Sequence, residues 1–299
     1  MNFKELEKSY LAIDYLAQHL IDGSLVLFLG AGISKGFGLP DWKEFADLFR
    51  KKMGLSSISM NNAEEIQTAL EEAISKTNND DEKIEIVKEI LYSTSVLDVK
   101  IAYTNPLLIS ISSLLIGRKR GHVKRVITYN YDSILEWFLS LFGFQVNSII
   151  DLPALEGSED VRIYHPHGFV PHPALGLDNS NFIILGIEDA NERMGARSDL
   201  WRDKTRQILE EGVCLFLGLS YEALTDRGVE PLLRDAGKKC KEIRPLGIWI
   251  YKDKNKLQKE QKDRFFNKNI VPIEIDEIHD IANFILGISQ KALEKTKMI

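Results

Sequence analysis

Cysteine is nearly missing from this chain: only Cys214 and Cys240 occur in 299 residues. Two thiols cannot build a disulfide framework or a four-cysteine zinc site. Cys214 lies inside the apolar run Val213-Cys214-Leu215-Phe216-Leu217, where a thiol serves as a small buried hydrophobe. Long hydrophobic runs are missing too. Nothing approaches the ~18 apolar residues of a membrane span, and Met1 to Lys8 alternates charges instead of showing a basic-then-apolar leader. A reducing, cytoplasmic location without membrane attachment is therefore expected. Positive charge is outweighed: 38 Lys and Arg face 44 Asp and Glu, for a net charge of −6 and a pI near 5.6. Nucleic acid is not expected as the main ligand, because phosphate backbones call for a basic surface.

What is present is the composition of an ordinary globular protein, 44% hydrophobic and 27% charged. Phe3 to Ile21 places Leu6, Tyr10, Ile13, Leu16, Ala17 and Leu20 near a helical period, and Gly23 ends it. Leu25 to Leu29 is apolar on both faces, as suits a central parallel strand covered from both sides. Pro40 opens a helix in which Trp42, Phe45, Ala46 and Phe49 share a face. Between 56 and 117 three helical stretches follow, Glu64 to Lys76, Glu82 to Tyr92 and Pro106 to Ile116, with no strand among them. Strands return at Val123 to Tyr129, Phe144 to Ile150, Arg162 to His165, Phe182 to Leu185, Val213 to Leu217, Leu246 to Tyr251 and Val271 to Ile275. Helical patterns at Ser133 to Leu141, Leu200 to Glu210, Glu230 to Lys239 and Asn255 to Phe266 separate them. The expectation is one α/β domain over 1–299, a doubly wound parallel sheet. Its core is 20–55 and 118–290, with 56–117 an inserted α-helical module.

The first strand breaks into Gly30-Ala31-Gly32-Ile33-Ser34, with Gly36 and Gly38 close behind. Missing side chains would let a pyrophosphate approach main-chain N–H groups, and a following helix N-terminus would add partial positive charge. A tight strand-to-helix turn explains the same glycines without a ligand. A dehydrogenase fingerprint would require a second strand ending in an acidic residue about 20 positions on. That place is taken by the Trp42 helix, with Asp47 inside it. No Gly-Lys-Ser or Gly-Lys-Thr follows the glycines, so the kinase-type phosphate loop is also excluded.

Five short motifs, in order, resemble those of the sirtuin superfamily: Gly30-Ala31-Gly32-Ile33-Ser34, Gly38-Leu39-Pro40-Asp41, Thr128-Tyr129-Asn130-Tyr131-Asp132, His167-Gly168 and Gly218-Leu219-Ser220. The resemblance implies a Rossmann-like sheet with NAD over the strand ends, and Asn130 and His167 around the nicotinamide ribose. It departs from the protein deacetylases. They carry a four-cysteine zinc module that this chain cannot build, Tyr129 stands where they have glutamine, and Trp42-Lys43 replaces their Phe-Arg pair. Greater similarity is to the zinc-free sirtuin-like domains of bacterial anti-phage systems, in which Thr-x-Asn-Tyr-Asp and His-Gly accompany NAD hydrolysis. That likeness implies an NAD+ glycohydrolase that depletes NAD+ on infection, with no zinc ribbon.

On this reading Asn130 and His167 are catalytic, the amide positioning water or a ribose hydroxyl and the imidazole accepting a proton. A turn asparagine and a structural loop histidine are the plain alternatives. Gly30, Ala31, Gly32, Ser34, Pro40, Asp41, Thr128, Asp132, Gly218, Ser220 and Asp226 are the expected NAD+ contacts. Ser34 and Ser220 could equally be caps, and Asp132 is read first as the cap of the Ser133 to Leu141 helix, with a secondary role in orienting the site. Asp226 is assigned to the adenosine end or to a cap. His165 is expected to support the site, and His165, His167 and His172 lack a carboxylate at ligand spacing, so no metal is expected. Two rival classes keep the fold: a nucleotide sensor without turnover, and a deacylase or ADP-ribosyltransferase needing an acceptor peptide. Activation is expected through a homo-oligomer or a separately encoded defence partner such as an ATPase, with the 56–117 module as an assembly surface or lid.

Overall fold

The computed structural model describes residues 3–297 apart from 94, 96, 118, 119, 156, 191–198 and 253–256. In chain order the helices are α1 (Ser9–Ile21), α2 (Trp42–Lys52), α3 (Ala63–Ile74), α4 (Asp80–Tyr92), α5 (Val99–Thr104), α6 (Pro106–Leu115), α7 (Ile134–Leu141), α8 (Ile187–Ala190), α9 (Leu200–Glu211), α10 (Tyr221–Leu224), α11 (Glu230–Cys240), α12 (Lys259–Phe266) and α13 (Ile278–Lys297). The strands are β1 (Leu25–Leu29), β2 (Arg125–Thr128), β3 (Val146–Ile149), β4 (Val161–Tyr164), β5 (Val213–Leu217), β6 (Gly247–Tyr251) and β7 (Ile270–Glu274). They form one parallel sheet in the order β3-β4-β2-β1-β5-β6-β7.

Alternation along β1 shows why its whole run is apolar. Leu25, Leu27 and Leu29 enter the core on one side of the sheet, while Val26 and Phe28 enter the core on the other. β5 repeats this, with Leu215 and Leu217 on the first side and Cys214 and Phe216 on the second. The Cys214 thiol is fully buried, and burial pushes its pKa up to about 12, which makes it structural.

The expected strand at Phe182 to Leu185 is not part of the sheet. Its residues do alternate between the two cores, Phe182 and Ile184 in one, Ile183 and Leu185 in the other. Its backbone, however, bonds a loop: Ile184 N–H donates to His167 O at 2.9 Å, and Ser180 N–H to Phe169 O at 2.9 Å. The segment is a buried strap that has the periodicity of a strand without a ladder. At Pro40 the helix begins two residues later than expected, because Asp41 caps α2 in a reciprocal capping box with Glu44. The expected start at Asn255 lies outside the described residues. Residues 56–117 contribute in two places: α3 and α4 pack beside α2, while α6 lies against α13, the long C-terminal helix that also covers α1.

Candidate active site

Strand order reverses between β1 and β5, and in open parallel sheets the crevice at the carboxyl ends there is where ligands bind. In register, Leu29 pairs with both Thr128 and Leu217, and Ile127 pairs with Tyr164. The glycine turn, the Thr128 loop, the His165 loop and the Gly218 loop therefore leave adjacent strands at one edge.

The glycines fit one another first. A Cβ on Gly30 would lie 2.6 Å from the Gly218 carbonyl oxygen, and one on Gly32 would lie 2.8 Å from Gly218 Cα. Gly218 itself has φ +66°, and its added Cβ would meet Gly30 O and Ile33 N at 2.9 Å. The turn after β1 continues as two short 3-10 turns, Ala31–Ile33 and Lys35–Phe37, so no α-helix starts behind Gly32. Its Gly30, Gly32, Ile33 and Ser34 N–H groups all donate to protein carbonyls. The loop is a compact cradle, not the helix N-terminus that the sequence suggests.

Several predicted contacts prove to hold the loops. Ser34 Oγ–H donates to Asp132 Oδ1 at 2.9 Å, tying the β1 and β2 loops together, and the same oxygen accepts the Ile134 N–H at 3.0 Å at the start of α7. Asp132 thus bonds the first N–H of α7 from just outside the helix, whose N-cap position is Ser133. Thr128 Oγ1 accepts the Asn130 N–H at 3.1 Å. Ser220 is exposed and caps α10 through Ala223 N–H. Asp41, preceded by Pro40, pairs with Lys35 at 2.6 Å and caps α2. Asp226 Oδ1 accepts the Gly228 N–H at 2.7 Å, a turn cap.

The three histidines diverge. His165 is fully buried, with Nδ1 3.2 Å from Asn130 O and Nε2 2.7 Å from Glu136 Oε1. It braces the Asn130 peptide from behind. His172 packs edge-on against Tyr92, and its Nδ1 accepts the Ala174 N–H. His167 turns instead to Tyr129, the neighbour of Asn130; their rings stack at 4.0 Å and 9°. His167 Nε2 is buried without a partner among the described residues, and burial lowers the imidazole pKa to about 4, so it is neutral at pH 7. Among the described residues no group of three or more His, Cys, Asp or Glu could hold a metal ion, and no helix is long and apolar enough to cross a membrane.

A profile for a SIR2-like domain matches residues 124–273, just over half of the chain. The chain belongs to the SIR2-like family. No curated protein matches it. The span takes in Asn130, His167 and Gly218 and begins after the glycine turn, which the structure nonetheless packs directly on Gly218. Membership places this Rossmann-like sheet in the sirtuin superfamily and supports an NAD-binding function for it. Sequence reasoning passed over Glu136 and Gln67. Both are polar residues on buried helix faces, Glu136 among Ile134, Leu135, Trp137 and Phe138, and Gln67 among Ile66, Ala69 and Leu70. A polar side chain in an apolar stripe was the available signal.

One consequence for stability follows from Asp132. Burial raises its pKa from 3.8 to about 6 in the folded chain. A raised carboxyl favours folding while protonated, so its contribution is complete below pH 3.8 and is lost as pH rises through 6. Two units correspond to roughly 3 kcal/mol. Asp132→Asn keeps an acceptor for Ser34 and Ile134 but cannot ionise. Urea unfolding at pH 4 and pH 7 should show wild type losing about that amount relative to the variant; an unchanged difference would refute the assignment.

Proposed function

We propose that the chain is an NAD+ glycohydrolase, cleaving NAD+ to nicotinamide and ADP-ribose. The observation that supports this most is His167 Nε2: buried, without a partner among the described residues, on a neutral imidazole stacked against the residue next to Asn130. Such an atom costs about 1–3 kcal/mol unless something bonds to it. A neutral imidazole nitrogen is an acceptor, suited to a hydroxyl or water proton.

The chemistry needs little more. The bond between ribose C1′ and the nicotinamide nitrogen breaks with its electron pair returning to the ring, which neutralises the pyridinium. A water oxygen bonds to the electron-poor C1′ and gives up a proton, which His167 Nε2 takes. The Asn130 amide, 9% exposed and held by Thr128 and His165 through its backbone, orients that water or a ribose hydroxyl. An acceptor peptide has no part in this scheme.

The likeness to zinc-free defence domains extends the proposal to an effector of bacterial anti-phage immunity, acting by NAD+ depletion and triggered by self-assembly or a separate partner. The enzymatic part is tested by incubating purified protein with NAD+ alone and with an acylated peptide, and quantifying products by chromatography. Nicotinamide and ADP-ribose should appear in equal amounts without peptide. Release that depends on peptide would make it a deacylase or transferase, and binding without release a sensor.

A further inference from the structure

Gln67 lies on the buried face of α3, 5% exposed, and reaches the loop after α10 that carries Asp226. Its Nε2 donates to Asp226 Oδ2, while its Oε1 is buried with no partner among the described residues. One turn earlier on the same helix Glu64 pairs with Arg227 at 2.5 Å, so α3 is fastened over the loop that carries Asp226. The Tyr129 hydroxyl is likewise buried without a partner among the described residues; burial raises its pKa, and the Asp226 carboxylate adds to the rise. Tyr129 in turn carries the His167 ring. Three unpartnered polar atoms, Gln67 Oε1, Tyr129 Oη and His167 Nε2, thus belong to side chains linked through Asp226 and a ring stack. At about 1–3 kcal/mol each, their concentration in one place is a cost that a bound ligand would offset.

The donor and acceptor inventory selects the ligand group. Gln67 Oε1 and a carboxylate only accept, neutral His167 Nε2 accepts when its proton is on the other nitrogen, and the protonated Tyr129 hydroxyl can accept as well as donate. A phosphate, itself an acceptor and negatively charged, would be repelled. A ribose diol offers two O–H donors close together. We infer that Gln67, from the helical segment between β1 and β2, is a substrate-contacting residue that with Asp226 receives the hydroxyls of the ribose beside His167. This rests on the NAD-site reading above, and it moves Asp226 from the adenosine end to the ribose that carries the leaving base.

Calorimetric binding of ADP-ribose and of ADP, which lacks that ribose, tests it on full-length wild type, Gln67→Met and Asp226→Asn. Wild type should bind ADP-ribose more tightly than ADP. Each variant should lose about tenfold in ADP-ribose affinity, the equivalent of one hydrogen bond, with ADP affinity unchanged. Retained ADP binding also shows that the fold has survived. Equal ADP-ribose affinity in wild type and Gln67→Met would overturn the inference, as would an equal loss for both nucleotides, which would make Gln67 a structural latch. Failure of wild type to bind ADP-ribose would overturn it as well. Nicotinamide release, measured in parallel, separates the two ideas: Gln67-dependent ADP-ribose binding without release keeps this inference and removes the hydrolase.

Discussion

Replacing His167 by alanine should reduce nicotinamide release by about 10²–10⁴-fold, the range typical for losing a positioned general base, and Asn130→Ala should cost at least about 10²-fold. Neither change should unfold the protein. His167 is half-buried, its Nε2 makes no protein hydrogen bond, and its ring contact is with Tyr129 alone among the described aromatic pairs. Asn130 is held through its backbone, by Thr128 Oγ1 and by His165, and both of those bonds survive truncation of the side chain. Thermal midpoints within a few degrees of wild type, together with the loss of turnover, are the expected pair of results. Wild-type turnover in either variant would remove that residue from the mechanism.

Gly218→Ala should do the opposite and damage fold and activity together. Alanine at φ +66° is strained, and its Cβ would sit 2.9 Å from both Gly30 O and Ile33 N, backbone atoms that cannot swing aside. The hydrogen bond from Gly32 N–H to Gly218 O ties the same two loops. A destabilisation of about 2–4 kcal/mol is expected from a forced backbone shift of this kind. Urea unfolding gives the stability and nicotinamide release gives the activity. A variant with native stability would mean that the two loops have slack, and the close-packed cradle would be wrong.

The contrast between these outcomes reflects what could be read from the chain. β1, β5 and β6 are short apolar runs buried on both faces, and such runs identify central parallel strands before any contact is known. The loops after β1, β2, β4 and β5 carry Gly30, Asn130, His167 and Gly218, so the candidate site was legible as a set of strand ends. The structure adds their adjacency. What stayed hidden depended on partners distant in sequence. Phe182 to Leu185 looks like a strand because its side chains alternate between two cores, yet only its bonds to the His167 loop show that it is a strap. Gln67 and Asp226 are 159 positions apart, and nothing local in either links them. Asp41 and Ser220 sit in family-like motifs, but their side chains serve as helix caps, a role that the same residue types fill in many loops.

The SIR2-like match and the geometry bear on one claim, that four strand-end loops form a single dinucleotide site with Asn130 and His167 beside the bond that breaks. The most direct measurement is a crystal structure of the Asn130→Ala variant with NAD+ bound, since that variant should bind but not turn over. The account predicts the pyrophosphate against the Gly30–Gly218 cradle, and the nicotinamide ribose between His167 and the Gln67–Asp226 pair. NAD+ located away from these four loops would contradict it.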